Sequence, residues 1–284
     1  MTTAQDFYKL VSGRLTEVLG ASEGAAAARI IFEDVAGYDR KWLFMNGSRE
    51  ITDYMQGKID AAVRKVEAGE PVQYAVGSAL FMGMRLAVTE DVLIPRFETE
   101  GLVDAVVDVA GGRSDLRVLD IGTGSGCIAI ALARALPFSR VTAVDISPAA
   151  LKVAQANANT LKVKVDFEER DALTMNAASG ETYDFIVSNP PYVMESEKAE
   201  MDRRVFGFEP AGALFVPDSD PLRFYRAISA FAAETLAPGG WLCFEINSLF
   251  PTQTAELMEK AGLTNVEVRR DYRGNPRFAF GQKK

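Results

Sequence analysis

Along the first 70 residues the apolar positions recur at helical spacing. Phe7, Leu10, Val11, Leu15, Val18 and Leu19 form one stripe that Gly20 ends. A second run covers Ala25 to Val35 and stops at Gly37. A third carries Ile51, Met55, Ile59, Val63 and Val66 on one face and ends at Gly69. This part predicts a small all-helical domain over residues 1–70, without a catalytic motif and suited to docking. Residues 71–96 change character, with β-branched and aromatic runs punctuated by Gly77, Gly83 and Glu90-Asp91; they predict a β-hairpin linker that Pro95 closes.

From Phe97 to the end at 284 the pattern alternates. Apolar runs at Leu116–Ile121, Val141–Ile146, Val163–Phe167, Phe185–Val187 and Trp241–Ile246 predict short buried strands. Helical stretches near Glu98–Val109, Gly126–Leu136, Pro148–Asn157 and Pro221–Leu236 separate them. Such alternation predicts an α/β domain with a doubly wound, mostly parallel sheet. Asn265–Arg270 and Phe278–Gly281 flank a Gly-Asn-Pro turn, which predicts an antiparallel pair at the sheet edge.

Composition narrows the chemistry. The chain has no histidine, which removes every Ser–His or Cys–His nucleophile pair and every His-ligated metal. Two cysteines, Cys127 and Cys243, lie in apolar runs and read as buried thiols rather than a disulfide framework, and no metal site is visible. With 31 basic against 39 acidic side chains the net charge is −8, which withholds the electrostatic term behind non-specific nucleic-acid affinity. The N-terminal MTTAQDFYKL has neither a basic nor an apolar leader region, and no apolar run reaches a membrane span; a cytoplasmic monomer is expected.

Asp120-Ile121-Gly122-Thr123-Gly124-Ser125-Gly126 runs from a strand into a helix. Glycines there permit a tight turn and close approach of backbone to a ligand, and the following helix offers free N–H groups. Nineteen residues after Gly126, Asp145 ends the next apolar run, where a carboxylate accepts from ribose hydroxyls. Asp171 closes the third strand region, placed to meet an adenine amino group with Ala172 against the base. The pattern is similar to that of the class I S-adenosylmethionine-dependent methyltransferases.

After the fourth strand comes Asn189-Pro190-Pro191-Tyr192. Two prolines fix the local backbone and leave the Pro190 carbonyl without a neighbouring N–H. With the Asn189 side-chain oxygen, that makes two acceptors for one planar NH2 group, and Tyr192 offers a stacking face. A planar amide nitrogen is a poor nucleophile, so alignment and preorganised electrostatics are what such a site must supply. A histidine base is unnecessary.

The chain resembles the HemK-type release factor glutamine methyltransferases over nearly its whole length. The resemblance rests on Pro71–Tyr74, Phe81-Met82-Gly83, Ile94–Glu100, Asn189–Tyr192, Phe208-Glu209-Pro210 with Ala213-Leu214, Phe244-Glu245-Ile246 and Asp271–Asn275. Phe97, Phe208 and Asn247 depart from the family's usual residues. The resemblance implies a seven-stranded methyltransferase sheet with an antiparallel edge hairpin. It also implies methyl transfer to the glutamine of the Gly-Gly-Gln motif in bacterial peptide chain release factors. By motif, Asp120, Gly122, Thr123, Gly124, Ser125, Gly126, Asp145, Asp171, Ala172 and Asn189 would hold the cofactor. Asn189 and Pro190 would be catalytic, with Pro191 and Tyr192 completing the amide pocket. The motif leaves two other readings open: a methyltransferase for the exocyclic amine of adenine in DNA or RNA, and a non-catalytic cofactor-binding protein. Arg96, Glu98 and Thr99 read as a helix cap, with a cofactor contact as the alternative, and Glu209 and Glu245 as structural or as supports of the site residues.

Overall fold

Three helices of the N-terminal part begin on a side chain that replaces a missing backbone partner. Thr3 accepts from Asp6 N at 3.1 Å, Asp39 from Trp42 N at 2.6 Å and Thr52 from Met55 N at 3.3 Å. They open α1 (Ala4–Leu19), α3 (Arg40–Asn46) and α4 (Asp53–Glu67); α2 (Ala21–Ala36) follows α1 directly, and α5 (Val72–Val76) ends the series. The computed structural model describes residues 2–284, which divide into two units: one up to Ser78 with Arg203–Phe208, the other Ala79–Asp202 with Glu209–Lys284.

In the first unit Phe7, Val11, Leu15, Ile31, Phe32, Ile59 and Val63 form a buried core. Helices α1 and α2 approach so closely that a Cβ on Gly24 would sit 2.5 Å from Thr16 N. Arg14 of α1 reaches α4, pairing with Asp60 and Glu67 at 2.8 Å each. Two helices here differ from expectation. Helix α3 has no buried residue and so leaves no apolar stripe to read. Helix α5 falls where a strand pair is expected, because Val72 and Val76 pack on the helical core and tertiary burial overrides β-propensity.

The second unit starts at the hairpin of β1 (Ser78–Phe81) and β2 (Met84–Ala87). Its two-residue turn holds both Met82 and Gly83 at positive φ, 46° and 70°. Then follow α6 (Phe97–Ala110), β3 (Arg117–Ile121), α7 (Cys127–Ala135), β4 (Arg140–Asp145), α8 (Pro148–Leu161), β5 (Asp166–Glu169) and β6 (Tyr183–Ser188). Short pieces come next: β7 (Val193–Met194), a 3₁₀ turn (Glu195–Glu200), α9 (Arg203–Phe206), which belongs to the first unit, then α10 (Ala211–Leu214) and β8 (Phe215–Val216). The chain closes with α11 (Arg223–Thr235), β9 (Leu236–Glu245), α12 (Pro251–Lys260), β10 (Thr264–Arg270) and β11 (Pro276–Gln282).

Seven strands form one sheet in the order β10-β11-β9-β6-β3-β4-β5. The five from β9 to β5 are parallel, and β11 and β10 complete the edge antiparallel. Side chains alternate between two buried layers: Val118, Phe185, Val187 and Cys243 face one core with α6 and α7, whereas Leu119, Ile186, Leu242 and Phe244 face the other with α11. This is the expected doubly wound sheet with its edge hairpin. One strand is shifted: the run Val163–Phe167 marks the approach, and β5 itself is Asp166–Glu169. As the outer parallel strand it is largely exposed, so hydrophobicity does not mark it.

The strand order reverses at β3, whose neighbours are β4 on one side and β6 on the other. The crevice outside the carboxyl ends of the strands at such a point is where α/β sheets bind ligands.

Candidate active site

The loop after β3 is built on three positive φ values: Gly122 at 74°, Gly124 at 54° and Gly126 at 82°. Gly122 N and Thr123 N both donate to Val144 O, at 2.9 and 3.1 Å, which lashes the loop to the end of β4. Gly124 N donates to Asp145 Oδ2 at 2.9 Å, and Ser147 N donates to Asp145 Oδ1 at 2.9 Å. The Asp145 carboxylate is thus fixed by one N–H on each oxygen, and each oxygen keeps a lone pair for a further donor. A Cβ built on Gly122 or Gly124 meets nothing within 4 Å, whereas one on Gly126 would sit 3.0 Å from Ala154 Cβ. The front of the loop is open and its rear is packed.

Asp120 lies beneath this loop, fully buried. Its Oδ2 accepts from Thr123 Oγ1 at 2.6 Å and from Ala129 N at 3.2 Å, so it braces the turn and satisfies a first-turn N–H of α7. Burial pushes its pKa up to about 7, against the pull of those two hydrogen bonds and with a further push from the Asp145 charge. Its Oδ1 has no partner, and the buried Ser125 hydroxyl has none either. Cys127, next along, is a buried free thiol whose pKa burial raises to about 12, which keeps it protonated and inert.

Asp171 stands two residues beyond the end of β5 rather than in the strand, because its Oδ1 accepts from Leu173 N at 2.9 Å and turns the chain. Ala172 beside it packs on the core that faces α11.

At the end of β6, Ser188 Oγ donates to Ile121 O at 2.7 Å, tying the start of the Asn189 segment to the start of the glycine loop. Asn189 Nδ2 donates to Thr99 Oγ1 at 3.3 Å. Thr99 Oγ1 donates to Glu245 Oε2 at 2.7 Å, and Tyr192 OH donates to Glu245 Oε1 at 3.0 Å. Asn247 Nδ2 donates to Tyr192 O at 2.9 Å. Burial raises the pKa of Glu245, opposed by the Thr99 and Tyr192 hydrogen bonds and by Arg277. The Tyr192 phenol is also pushed up, by burial first and then by the Glu245 charge. Pro190 is buried, and Pro191 is half-buried.

Over 264 residues the chain is 41% identical to the release factor glutamine methyltransferase of Bacteroides thetaiotaomicron, spanning 93% of this chain and 94% of that one. It is 42% identical over 245 residues to the release factor glutamine methyltransferase of Koribacter versatilis, 86% of each. The chain belongs to the release factor glutamine methyltransferase family. Two family models match within it: the PrmC N-terminal domain at residues 9–77 and the methyltransferase small domain at 83–207. Among solved structures, the 16S rRNA N2 G1207 methyltransferase of T. thermophilus, in complex with AdoMet and guanosine, shares the fold. Its TM-score is 0.51 at 21% identity, spanning 73% of this chain and 50% of that one.

In this family member several residues prove more informative than their sequence pattern. Thr99 is not a cap: the N-terminus of α6 has no side-chain cap bond, and Thr99 turns inward to Glu245. Glu209, a side chain 1% exposed, accepts from Arg96 and from Ile94 N (3.1 Å) and fixes the backbone leading into α6. Asn157 of α8 is missed altogether by sequence reasoning. It is buried, its Oδ1 accepts from Ala87 N at 2.7 Å, and its Nδ2 donates to Ala87 O and Ser125 O at 3.0 and 2.9 Å. A polar side chain on the inner face of an amphipathic helix is the signal that would have found it. In the acidic stretch after Tyr192, Glu197 accepts from Met194 N and Asn247 Nδ2, whereas Glu195 and Glu200 are exposed. Phe97 is exposed and packs edge-on against Tyr272, with ring centroids 5.5 Å apart. No group of three or more Asp, Glu or Cys among the described residues is arranged to hold a metal ion.

Proposed function

We infer that this enzyme transfers a methyl group from S-adenosylmethionine to the side-chain amide nitrogen of the Gly-Gly-Gln glutamine in bacterial peptide chain release factors. The residues at the crevice fit that cofactor. The open front of the Gly122–Gly126 loop admits a ligand against the backbone, and Asp145 retains acceptor capacity at the end of β4. Thr123, Gly124 and Ser125 would line the methionine end, Asp145 the ribose, and Asp171 with Ala172 the adenine, with Asp120 bracing the loop from below. When bound, the cofactor supplies an electrophilic methyl group on a sulfonium.

Asn189 carries this reading, because its amide is held by its NH2 end and its oxygen remains for the substrate. That oxygen and the Pro190 carbonyl would accept the two N–H bonds of the glutamine amide, holding its nitrogen in line for alkylation. The same two oxygens stabilise the positive charge that grows on that nitrogen. Pro191 and Tyr192 form the wall of the pocket, and Glu245 keeps the Tyr192 ring in place. Residues 1–70 are the docking module, 71–96 the hairpin linker and 97–284 the methyltransferase domain. A net charge of −8 favours a protein over a nucleic acid as partner, and among the described residues no helix is long and apolar enough to cross a membrane.

The test is mass spectrometry of a Gly-Gly-Gln release factor after incubation with this protein and adenosylmethionine. The expected product carries one added methyl on the glutamine-bearing peptide. Labelling confined to an adenine-containing DNA or RNA in a parallel reaction would overturn the assignment.

A further inference from the structure

The polarity of one hydrogen-bond chain decides which end of the Asn189 amide meets the substrate. Thr99 has a single hydroxyl proton and gives it to Glu245 Oε2 at 2.7 Å. Glu245 Oε1 already accepts from Tyr192 OH at 3.0 Å, so both carboxylate oxygens are acceptors. Only lone pairs remain on Thr99 Oγ1, and only a donor can approach them. Asn189 presents its NH2 group there at 3.3 Å, which turns Oδ1 away from Thr99. Thr99 and Glu245 are 2% and 1% exposed, so no bulk water competes for these protons. Their backbones belong to different elements, α6 and β9, and Glu209 fixes the segment that leads into α6.

We propose that Glu245 and Thr99 are positioning residues that lock the Asn189 amide with its oxygen outward, so that the site meets a substrate NH2 group with an acceptor. The proposal rests on the reading that Asn189 receives the glutamine amide. Reversing the chain would turn the Asn189 NH2 toward the substrate and set donor against donor.

Two substitutions separate hydrogen bonding from packing. Thr99→Val keeps the shape and loses the hydroxyl; Thr99→Ser keeps the hydroxyl and loses only the methyl. Thr99→Val is expected to lower kcat on a Gly-Gly-Gln release factor about tenfold, the worth of one oriented hydrogen bond. Its Kd for adenosylmethionine, by calorimetry, stays within about twofold, and Thr99→Ser holds kcat within about threefold of the wild type. Wild-type kcat in Thr99→Val, or the reverse order of the two variants, overturns the proposal and makes Thr99 a packing residue.

A second readout needs no turnover. The Asn189 carboxamide protons, followed by NMR, are expected to exchange slowly with solvent in the wild type and in Thr99→Ser. In Thr99→Val and in Glu245→Gln, whose amide permits the opposite polarity, exchange is expected at least tenfold faster. Fast exchange in the folded wild type overturns the proposal. If the wild type methylates no release factor at all, the functional reading fails, and the exchange measurement still decides the orientation of Asn189.

Discussion

On the glycine-loop side of the crevice, Asp145 is fixed by the main-chain N–H groups of Gly124 and Ser147, 21 and 2 residues away. On the Asn189 side the partners are side chains: Thr99 lies 90 residues from Asn189, and Glu245 lies 146 from Thr99 and 53 from Tyr192. The first arrangement is what a rigid cradle for a constant ligand requires, since backbone dipoles need no rotamer to be set. The second sets direction, because a chain of hydroxyl, carboxylate and amide can run either way unless each proton is assigned. Binding the cofactor and orienting the amide should therefore fail separately.

The sharpest test of that separation is Asn189→Ala. Removing one preorganised acceptor from the reacting centre is expected to lower kcat by roughly 100-fold or more. The adenosylmethionine Kd should stay within about threefold of the wild type, since the loop and Asp145 do not depend on Asn189 for their hydrogen bonds. Calorimetry beside steady-state kinetics measures both. Equal losses would mean that Asn189 serves the cofactor cradle and that the two sides are one.

Asn157→Ala strikes the cradle from behind. It leaves the buried Ser125 O and the part-buried Ala87 N and O short of partners, which is expected to cost about 2 kcal/mol of stability. Thermal unfolding gives the loss directly. Cofactor affinity should fall with it, because Ser125 O anchors the loop. An unchanged melting temperature would show that water replaces all three bonds.

Asp145→Asn is a gentler probe of the same side. An asparagine can accept only at one position, so either Gly124 N or Ser147 N loses its partner and the negative charge disappears. The expected outcome is roughly a tenfold weaker adenosylmethionine Kd. At saturating cofactor, kcat should stay close to wild type. A kcat defect that persists at saturation would couple the cradle to the amide pocket.

How far each side could be read from the sequence follows the same division. Gly122, Gly124, Gly126 and Asp145 announce themselves because a tight turn needs positive φ and the strand end needs a fixed acceptor, both local demands. Asn189-Pro190-Pro191-Tyr192 is legible for a similar reason, as a rigid run placed directly after a strand. Thr99 and Glu245 are not, since a threonine in the first turn of a helix has a simpler local account as a cap. Only the inward turn of α6 against β9 exposes its real partner. Strand β5 is hidden by the reverse effect: its apolar neighbours Val163 and Val165 lie outside the ladder, and of the paired residues only Phe167 packs on the core while Asp166, Glu168 and Glu169 face solvent.

Asp120 gives the smallest expected effect and the finest view of the cradle. Both hydrogen bonds it accepts end on Oδ2, so a proton belongs on the unpartnered Oδ1. Burial raises its pKa from 3.8 to about 7, so the folded protein retains a proton there that the unfolded chain releases. The resulting stabilisation is complete below about pH 4 and is lost as pH rises through 7. Between pH 6 and pH 8 the loss is expected to be about 1 kcal/mol. Asp120→Asn keeps an acceptor for Thr123 and Ala129 but has no proton to exchange, so its stability should be flatter by that amount. Urea unfolding of both proteins at pH 6, 7 and 8, without cofactor, isolates this group, because every other titratable side chain is common to the two. Parallel slopes would mean that Asp120 is already ionised at pH 6. The glycine loop would then rest on a buried negative charge rather than on a neutral carboxyl group.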